Sequence, residues 1–324
     1  MKKYYSKVLA LVLALTVFAL MAAGSGSSGE SSTEKTNTSA AAGESRSAAA
    51  GESRSSAAET VSEAAPAEKL TYTISDEIIV DNDYCVFKIT EARDDRIWGF
   101  TLDVYCENKT ADKALMFSID DVSINGYMAD PLWGKEVAAG KKTNSEINFG
   151  SSALKDNGIT SPDAITFTLR VYDSENWLAD NFVKDTFTVY PTGLTADRIE
   201  VPARRTSEKE QVVIDNDKCT FVILGTKNDS IWGYTVQGYI ENKTDKTVMC
   251  SWDDVSVNGY MIDPYWAKTL APGKRAYVDI SFSKSGFEEN KITTVEEIEY
   301  TLRVYDSNNW MADDLVHEVY RYKP

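Results

Sequence analysis

Thr168-Leu169-Arg170-Val171-Tyr172-Asp173-Ser174 recurs without a change as Thr301-Leu302-Arg303-Val304-Tyr305-Asp306-Ser307. With the residue before it, each run alternates apolar and polar side chains: Phe167, Leu169 and Val171 in the first, Tyr300, Leu302 and Val304 in the second. Successive side chains of a strand point to opposite faces, so this alternation predicts a strand with one buried face. The heptapeptide is one piece of a longer repeat. Ile79-Val80-Asp81-Asn82-Asp83 answers to Val213-Ile214-Asp215-Asn216-Asp217, and Ile97-Trp98-Gly99-Phe100 to Ile231-Trp232-Gly233-Tyr234, both at an offset of 134. Glu107-Asn108-Lys109-Thr110 returns as Glu241-Asn242-Lys243-Thr244, after which the offset becomes 133. Asp120 to Trp133 then matches Asp253 to Trp266 at 11 of 14 positions.

A period this long exceeds the roughly 20 to 50 residues of solenoids and propellers. Each unit is large enough to own a core, so the pattern predicts duplication of a domain. The copies are placed at 76–191 and 210–324, with 192–209 as connector. Further strand patterns lie at Cys85-Val86-Phe87-Lys88-Ile89, Trp98 to Cys106, Ala114 to Phe117, Val122 to Ile124, Ile147 to Phe149 and Val183 to Val189. Turn signals separate them, among them Arg93-Asp94-Asp95, Asn108-Lys109-Thr110 and Asn125-Gly126. The one helix candidate, Ser152 to Asn157, has its partner at Lys284 to Glu289. The expected fold class is all-β: two tandem immunoglobulin-like β-sandwich domains, with a closed barrel as the alternative.

The start of the chain predicts export. Lys2, Lys3 and Lys7 precede an uncharged apolar run, Val8 to Ala23, and small residues follow it. That pattern is a secretory signal peptide over 1–24; the run falls short of the ~20 residues a bilayer-spanning helix needs. An uncleaved membrane anchor is the alternative. Residues 25–75 are rich in Ser, Ala, Gly and Glu and repeat the octapeptide Ser39 to Arg46 directly as Ser47 to Arg54. So little apolar surface cannot offset chain entropy, and a disordered low-complexity linker is expected there.

Leu20-Met21-Ala22-Ala23-Gly24 followed by Ser25 resembles the end of a Gram-positive lipoprotein signal. Together with the Val171-Tyr172-Asp173 and Val304-Tyr305-Asp306 motifs, the chain resembles tandem Ig-like surface lipoproteins of Gram-positive bacteria, a family of unassigned function. The resemblance implies an extracellular or cell-surface protein. In that family a cysteine stands where Ser25 is, and a serine hydroxyl cannot form the lipid-bearing thioether.

Formal net charge is −16. Such acidity repels phosphate backbones, so nucleic acid is excluded as a partner, and membrane contact is expected only through the N-terminal signal or anchor. Cys85 and Cys219 are equivalent, Cys106 aligns with Ile240 and Cys250 with Phe117. Apolar counterparts favour small core hydrophobes. Bridges Cys85–Cys106 and Cys219–Cys250 stay open as alternatives, because sequence does not fix connectivity. His317 is the only histidine, and Lys184 takes its place in the first copy. A Ser-His-Asp or Cys-His arrangement could therefore stand in one copy at most, and no P-loop or G-x-S-x-G motif is present, so no enzyme activity is expected.

Two kinds of site remain. Tryptophans 98/232, 133/266 and 177/310 form matched pairs. Trp133, Trp177, Trp266 and Trp310, with Tyr127 and Tyr260, are the candidates for binding a protein or glycan at the cell surface, since a loop aromatic can stack on a sugar or a protein partner. Capping of the sandwich core is the structural alternative. No cofactor is expected, with Ca²⁺ as the alternative. Asp120, Asp121, Asn125 and Asp130, and their counterparts Asp253, Asp254, Asn258 and Asp263, are an oxygen-rich set suited to that ion. The same residues favour turns by bonding their own backbone. The expected function is recognition or adhesion, with carbohydrate or cell-wall binding and a calcium-stabilised surface domain as alternatives.

Overall fold

A computed structural model describes residues 70–229 and 233–324. The signal and most of the linker expected at 1–75 lie outside the described residues, as does Trp232.

The first copy runs β1 (Ser75–Asp81), β2 (Cys85–Asp95), β3 (Gly99–Asn108), β4 (Leu115–Ile124), β5 (Tyr127–Met128), β6 (Gly134–Val137), β7 (Lys142–Phe149), the short helix α1 (Ser151–Lys155), β8 (Ile165–Asp173) and β9 (Val183–Val189). The second repeats that order: β10 (Gln211–Asp215), β11 (Cys219–Asp229), β12 (Gly233–Asn242), β13 (Val248–Val257), β14 (Tyr260–Met261), β15 (Ala267–Leu270), β16 (Arg275–Phe282), α2 (Lys284–Glu289), β17 (Ile298–Asp306) and β18 (Val316–Tyr322). The all-β sandwich read from the alternation is observed. Along β8 the side chains alternate between buried and half-buried without interruption. Phe87 of β2 meets Phe167 of β8 at 6.4 Å, and Phe221 of β11 meets Trp252 of β13 at 6.1 Å, so each core lies between two facing sheets.

Strand order adds what periodicity does not carry. One sheet runs β1-β2-β3-β7, and β5-β4-β8-β9 face it. The consecutive strands β2 and β3 share a sheet, whereas the immunoglobulin order places its second and third strands in opposite sheets. The likeness to immunoglobulin domains is therefore one of architecture. Ala114 to Phe117 and Val122 to Ile124, read as two strands, are one strand, β4. Its register against β8 shifts between Asp120 and Ser123. Asp121 sits there at φ 52°, and Asp254 repeats it at φ 51°. Asp tolerates the left-handed region because its short polar side chain bonds locally, so the paired aspartates mark a β-bulge.

The two copies do not separate: the described residues form one compact unit. β5 of the first copy pairs in parallel with β16 of the second through Tyr127 and Arg275, so that one sheet runs β10-β11-β12-β16-β5-β4-β8-β9 through both. The Arg275 amide donates to the Gly126 carbonyl at 3.1 Å. Among the described residues no helix is long and apolar enough to cross a membrane.

Candidate recognition surfaces

The loop between β8 and β9 and its counterpart between β17 and β18 begin with the same turn. Asp173 ends β8; its carboxylate accepts from the Glu175 amide at 3.0 Å and pairs with Lys113 at 2.7 Å. Asp306 ends β17, accepts from the Asn308 amide at 2.9 Å and pairs with Lys246 at 3.1 Å. Those contacts, the lysine first, hold both carboxyls below the usual aspartate range. Backbone bonds from Asn176 to Asp173 and from Ala179 to Asn176 close the turn, and Asn309 and Ala312 repeat them. The locked loop lifts an aromatic and an aliphatic side chain into solvent: Trp177 is 63% and Leu178 78% exposed, Trp310 58% and Met311 80%. Exposed apolar pairs at equivalent positions are the kind of feature that marks an interaction site.

The other expected residues go elsewhere. Trp133 and Trp266 are half-buried. Trp133 packs on Phe87 at 5.9 Å and donates from Nε1 to Ser145 Oγ at 3.1 Å, while Trp266 packs on Phe221 and Trp252. This pair packs against the core, which is the structural alternative to a binding role. Tyr127 is corrected: it is fully buried between the copies. Its ring stacks on Tyr277 at 5.6 Å with planes 10° apart, its hydroxyl donates to the Pro202 carbonyl at 2.9 Å, and the Arg275 guanidinium lies over it. Burial pushes its hydroxyl pKa up to about 12. Tyr260, at the same place in the second copy, stays 51% exposed.

The oxygen-rich set is dispersed. Asp120 pairs with Arg170 at 3.3 Å and Asp130 pairs with Lys268 of the other copy. Asp121 lies on the bulge, where burial and then Asp120 push its carboxyl up. Asn125 ties the turn down: Nδ2 donates to Ser161 O at 2.8 Å, and Oδ1 accepts from the Asp163 and Ala164 amides. Asn258 does the same with Thr294, Glu296 and Glu297. Asp253 accepts from Ser251 Oγ at 3.1 Å, Asp254 repeats the bulge, and Asp263 accepts from the Tyr265 amide at 2.8 Å. Among the described residues no three His, Cys, Asp or Glu side chains gather as a metal site would require. These residues shape turns, a bulge and ion pairs.

Sequence reasoning missed a polar cleft of about 680 Å³ between the copies, lined by Met128, Asp130, Arg205, Lys227, Lys268 and Tyr277 among others. Its charges are largely satisfied internally: Lys227 pairs with Asp279 at 2.6 Å and Lys268 with Asp130. Nothing along either copy alone signals it, since it exists only where they meet. The lone histidine is engaged as well, with Nδ1 2.8 Å from the Asp314 carboxylate that Arg303 grips at 2.9 and 3.0 Å. All four cysteines are free thiols and buried. Burial pushes Cys85 and Cys219 up to about 11 and Cys106 to about 12, and raises Cys250 as well.

No protein-family model and no curated protein matches the chain. Alignable solved structures include two mutants of oxalate decarboxylase OxdC from Bacillus subtilis, DEL162-163 and SENS161-164DSSN. They are 11% and 12% identical, each over 67% of this chain and 74% of the other, with TM-scores of 0.10 and 0.09. Likeness at that level carries no argument about fold or chemistry.

Proposed function

We propose that this chain is an exported, non-enzymatic cell-surface protein that recognises a partner through two equivalent tryptophan loops. The observation that carries the reading is the matched exposure of Trp177 with Leu178 and Trp310 with Met311 on loops locked by the same hydrogen bonds. A flat indole held rigidly in solvent loses little entropy when a sugar face or an apolar protein surface settles on it. Two copies of one site double the local density of contacts, which favours a multivalent partner such as a cell-wall glycan. Glycan or wall-polymer binding is the specific form of the proposal, and protein adhesion is the broader one.

Export and surface location are part of the proposal and rest on Lys2, Lys3, Lys7 and the apolar run Val8 to Ala23. The likeness to tandem Ig-like surface lipoproteins agrees with that placement. The non-enzymatic reading rests on the sequence: His317 is the single histidine and Lys184 stands at its place in the first copy, so the two copies share no histidine-based machinery.

The test is a glycan and cell-wall-polymer array probed with the chain and with its Trp177→Ala/Trp310→Ala variant. Binding that disappears in the variant while its far-UV spectrum is retained supports the proposal. Binding indifferent to both substitutions moves the site elsewhere.

A further inference from the structure

The joint between the copies has a donor and an acceptor, and the chain carries each of them a second time. The donor is the Asn125-Gly126 turn with β5. The acceptor is the outer edge of β16, flanked by Val222, Leu224, Tyr239 and Tyr277. Duplication repeats the donor as the Asn258-Gly259 turn with β14. Asn258 and Gly259 hold the same left-handed conformation as Asn125 and Gly126, at φ 51° and 81° against 45° and 86°. Tyr260 is 51% and Met261 69% exposed there, whereas Tyr127 and Met128 are buried at 0% and 6%. β14 ends its sheet, in the order β14-β13-β17-β18.

The acceptor recurs as β7, which ends the sheet β1-β2-β3-β7. Its neighbour Tyr105 stands where Tyr239 stands, and the hydroxyls of both donate to the glutamate two residues on, Glu107 at 2.5 Å and Glu241 at 3.0 Å. Lys142 takes the place of Arg275. An open strand edge and an exposed, turn-locked tyrosine hairpin therefore stand on opposite copies of one chain.

We propose that β14 of one molecule docks on β7 of a second copy of this chain, repeating between molecules the joint that links the two copies within one. The proposal is independent of the tryptophan loops. Such a contact is heterologous, so it joins molecules head to tail, into a ring where the rotation closes and into an open chain where it does not. At a wall, that would string several tryptophan loops along one assembly. The contact is weaker than the internal one for a stated reason: Lys88, Thr90 and Asn144 replace Val222, Leu224 and Tyr277. The internal joint also has the high effective concentration of a tether. Charge favours the pairing, with Lys142 on the acceptor edge and Glu296 beside the Asn258 turn.

Sedimentation velocity of the full chain over a concentration series tests the proposal. The weight-average mass is expected to rise with concentration. Tyr260→Ser with Met261→Ser is expected to weaken association about tenfold or more, as loss of an interface aromatic does. Asn144→Tyr, which restores the ring that Tyr277 supplies, is expected to tighten it by a similar factor. All variants share the same N-terminal segment, so association through the apolar run would not distinguish them. A mass that stays at one chain throughout overturns the proposal, and so does association unchanged by the donor substitutions. Should the donor variant fail to fold, Asn144→Tyr at its exposed position decides: no tightening overturns the proposal.

Discussion

Replacing Tyr127 and Tyr260 separately by alanine puts one side chain, in one local hairpin, into two environments. Tyr127 is fully buried, stacked on Tyr277 and bonded to the Pro202 carbonyl. An aromatic of this kind removes roughly 150–250 Å² from water, which at about 25 cal/mol per Å² sets an upper bound of about 4–6 kcal/mol. Large-to-small aromatic truncations in cores cost about 3–5 kcal/mol, because the cavity collapses only in part. Tyr127→Ala is therefore expected to destabilise the folded chain by about 3–5 kcal/mol. Tyr260→Ala, at a half-exposed ring, is expected to cost about 1 kcal/mol or less. Tyr127→Phe separates the contributions: it keeps the stack and loses the bond to Pro202, for about 1 kcal/mol. Urea unfolding followed by tryptophan fluorescence and by near-UV dichroism measures all three. Equal losses for Tyr127→Ala and Tyr260→Ala would refute the claim that the joint between the copies is a packed core rather than a loose contact.

Other outcomes follow from the same structure. The four buried thiols, held protonated by burial, are expected to resist alkylation at neutral pH in the folded chain and to react, all four, after unfolding in denaturant without reductant; fewer than four would show a bridge. Glu210 is held at about 2 by its paired hydrogen bonds with Arg204, below the ordinary value of 4.5. A folded pKa below the unfolded one contributes stability that is complete above the unfolded value and lost as pH falls toward the folded one. Acid titration of Arg204→Met should therefore lose less stability between pH 4.5 and 2 than the parent chain does. Asp173 and Asp306 act in the same direction at the two tryptophan loops, so acid should loosen those loops, read as lower amide protection factors, corrected for the intrinsic exchange rate at each pH, at residues 174–182 and 307–315. Calcium added to millimolar concentration, against chelator, is expected to leave the melting midpoint where it is, because Asp120, Asp121, Asp130 and their counterparts are committed to turns, a bulge and lysine or arginine partners.

How much of this is legible in the sequence depends on the distance over which the determining contact acts. The strands of Phe167 to Val171 and Val183 to Val189 follow from alternation alone, since the period-two pattern is written along one segment. The Asn125-Gly126 turn is likewise a local signal, and its left-handed pair of residues matches it. The bulge at Asp121 is not local in the same way. Asp120-Asp121 reads equally well as a ligand pair, and only the register against β8 shows that the second aspartate bends the strand. For the same reason β4 reads as two strands.

The site shows the same division. Trp177 and Trp133 are both preceded by turn-forming residues, and nothing along the chain tells an indole that faces solvent from one that folds back on Phe87. Tyr127 and Tyr260 lie in nearly identical sequences and have opposite fates. The difference is written in the acceptor, where Val222, Leu224 and Tyr277 answer to Lys88, Thr90 and Asn144. Those substitutions can be interpreted only once strand order brings them beside the joint. Sequons at Asn108 and Asn242 make a related point. Both asparagines are buried, and each donates from Nδ2 to carbonyls of its own domain, so they brace turns rather than offer an amide for modification.

The paired tryptophan loops are the centre of the functional account, and a sedimentation pull-down with purified peptidoglycan and wall polymer tests them most directly. The account predicts that the chain is retained, that Trp177→Ala and Trp310→Ala each weaken retention, and that the double variant is lost from the pellet while its unfolding midpoint stays unchanged. Retention of the double variant at the parent's level would contradict it.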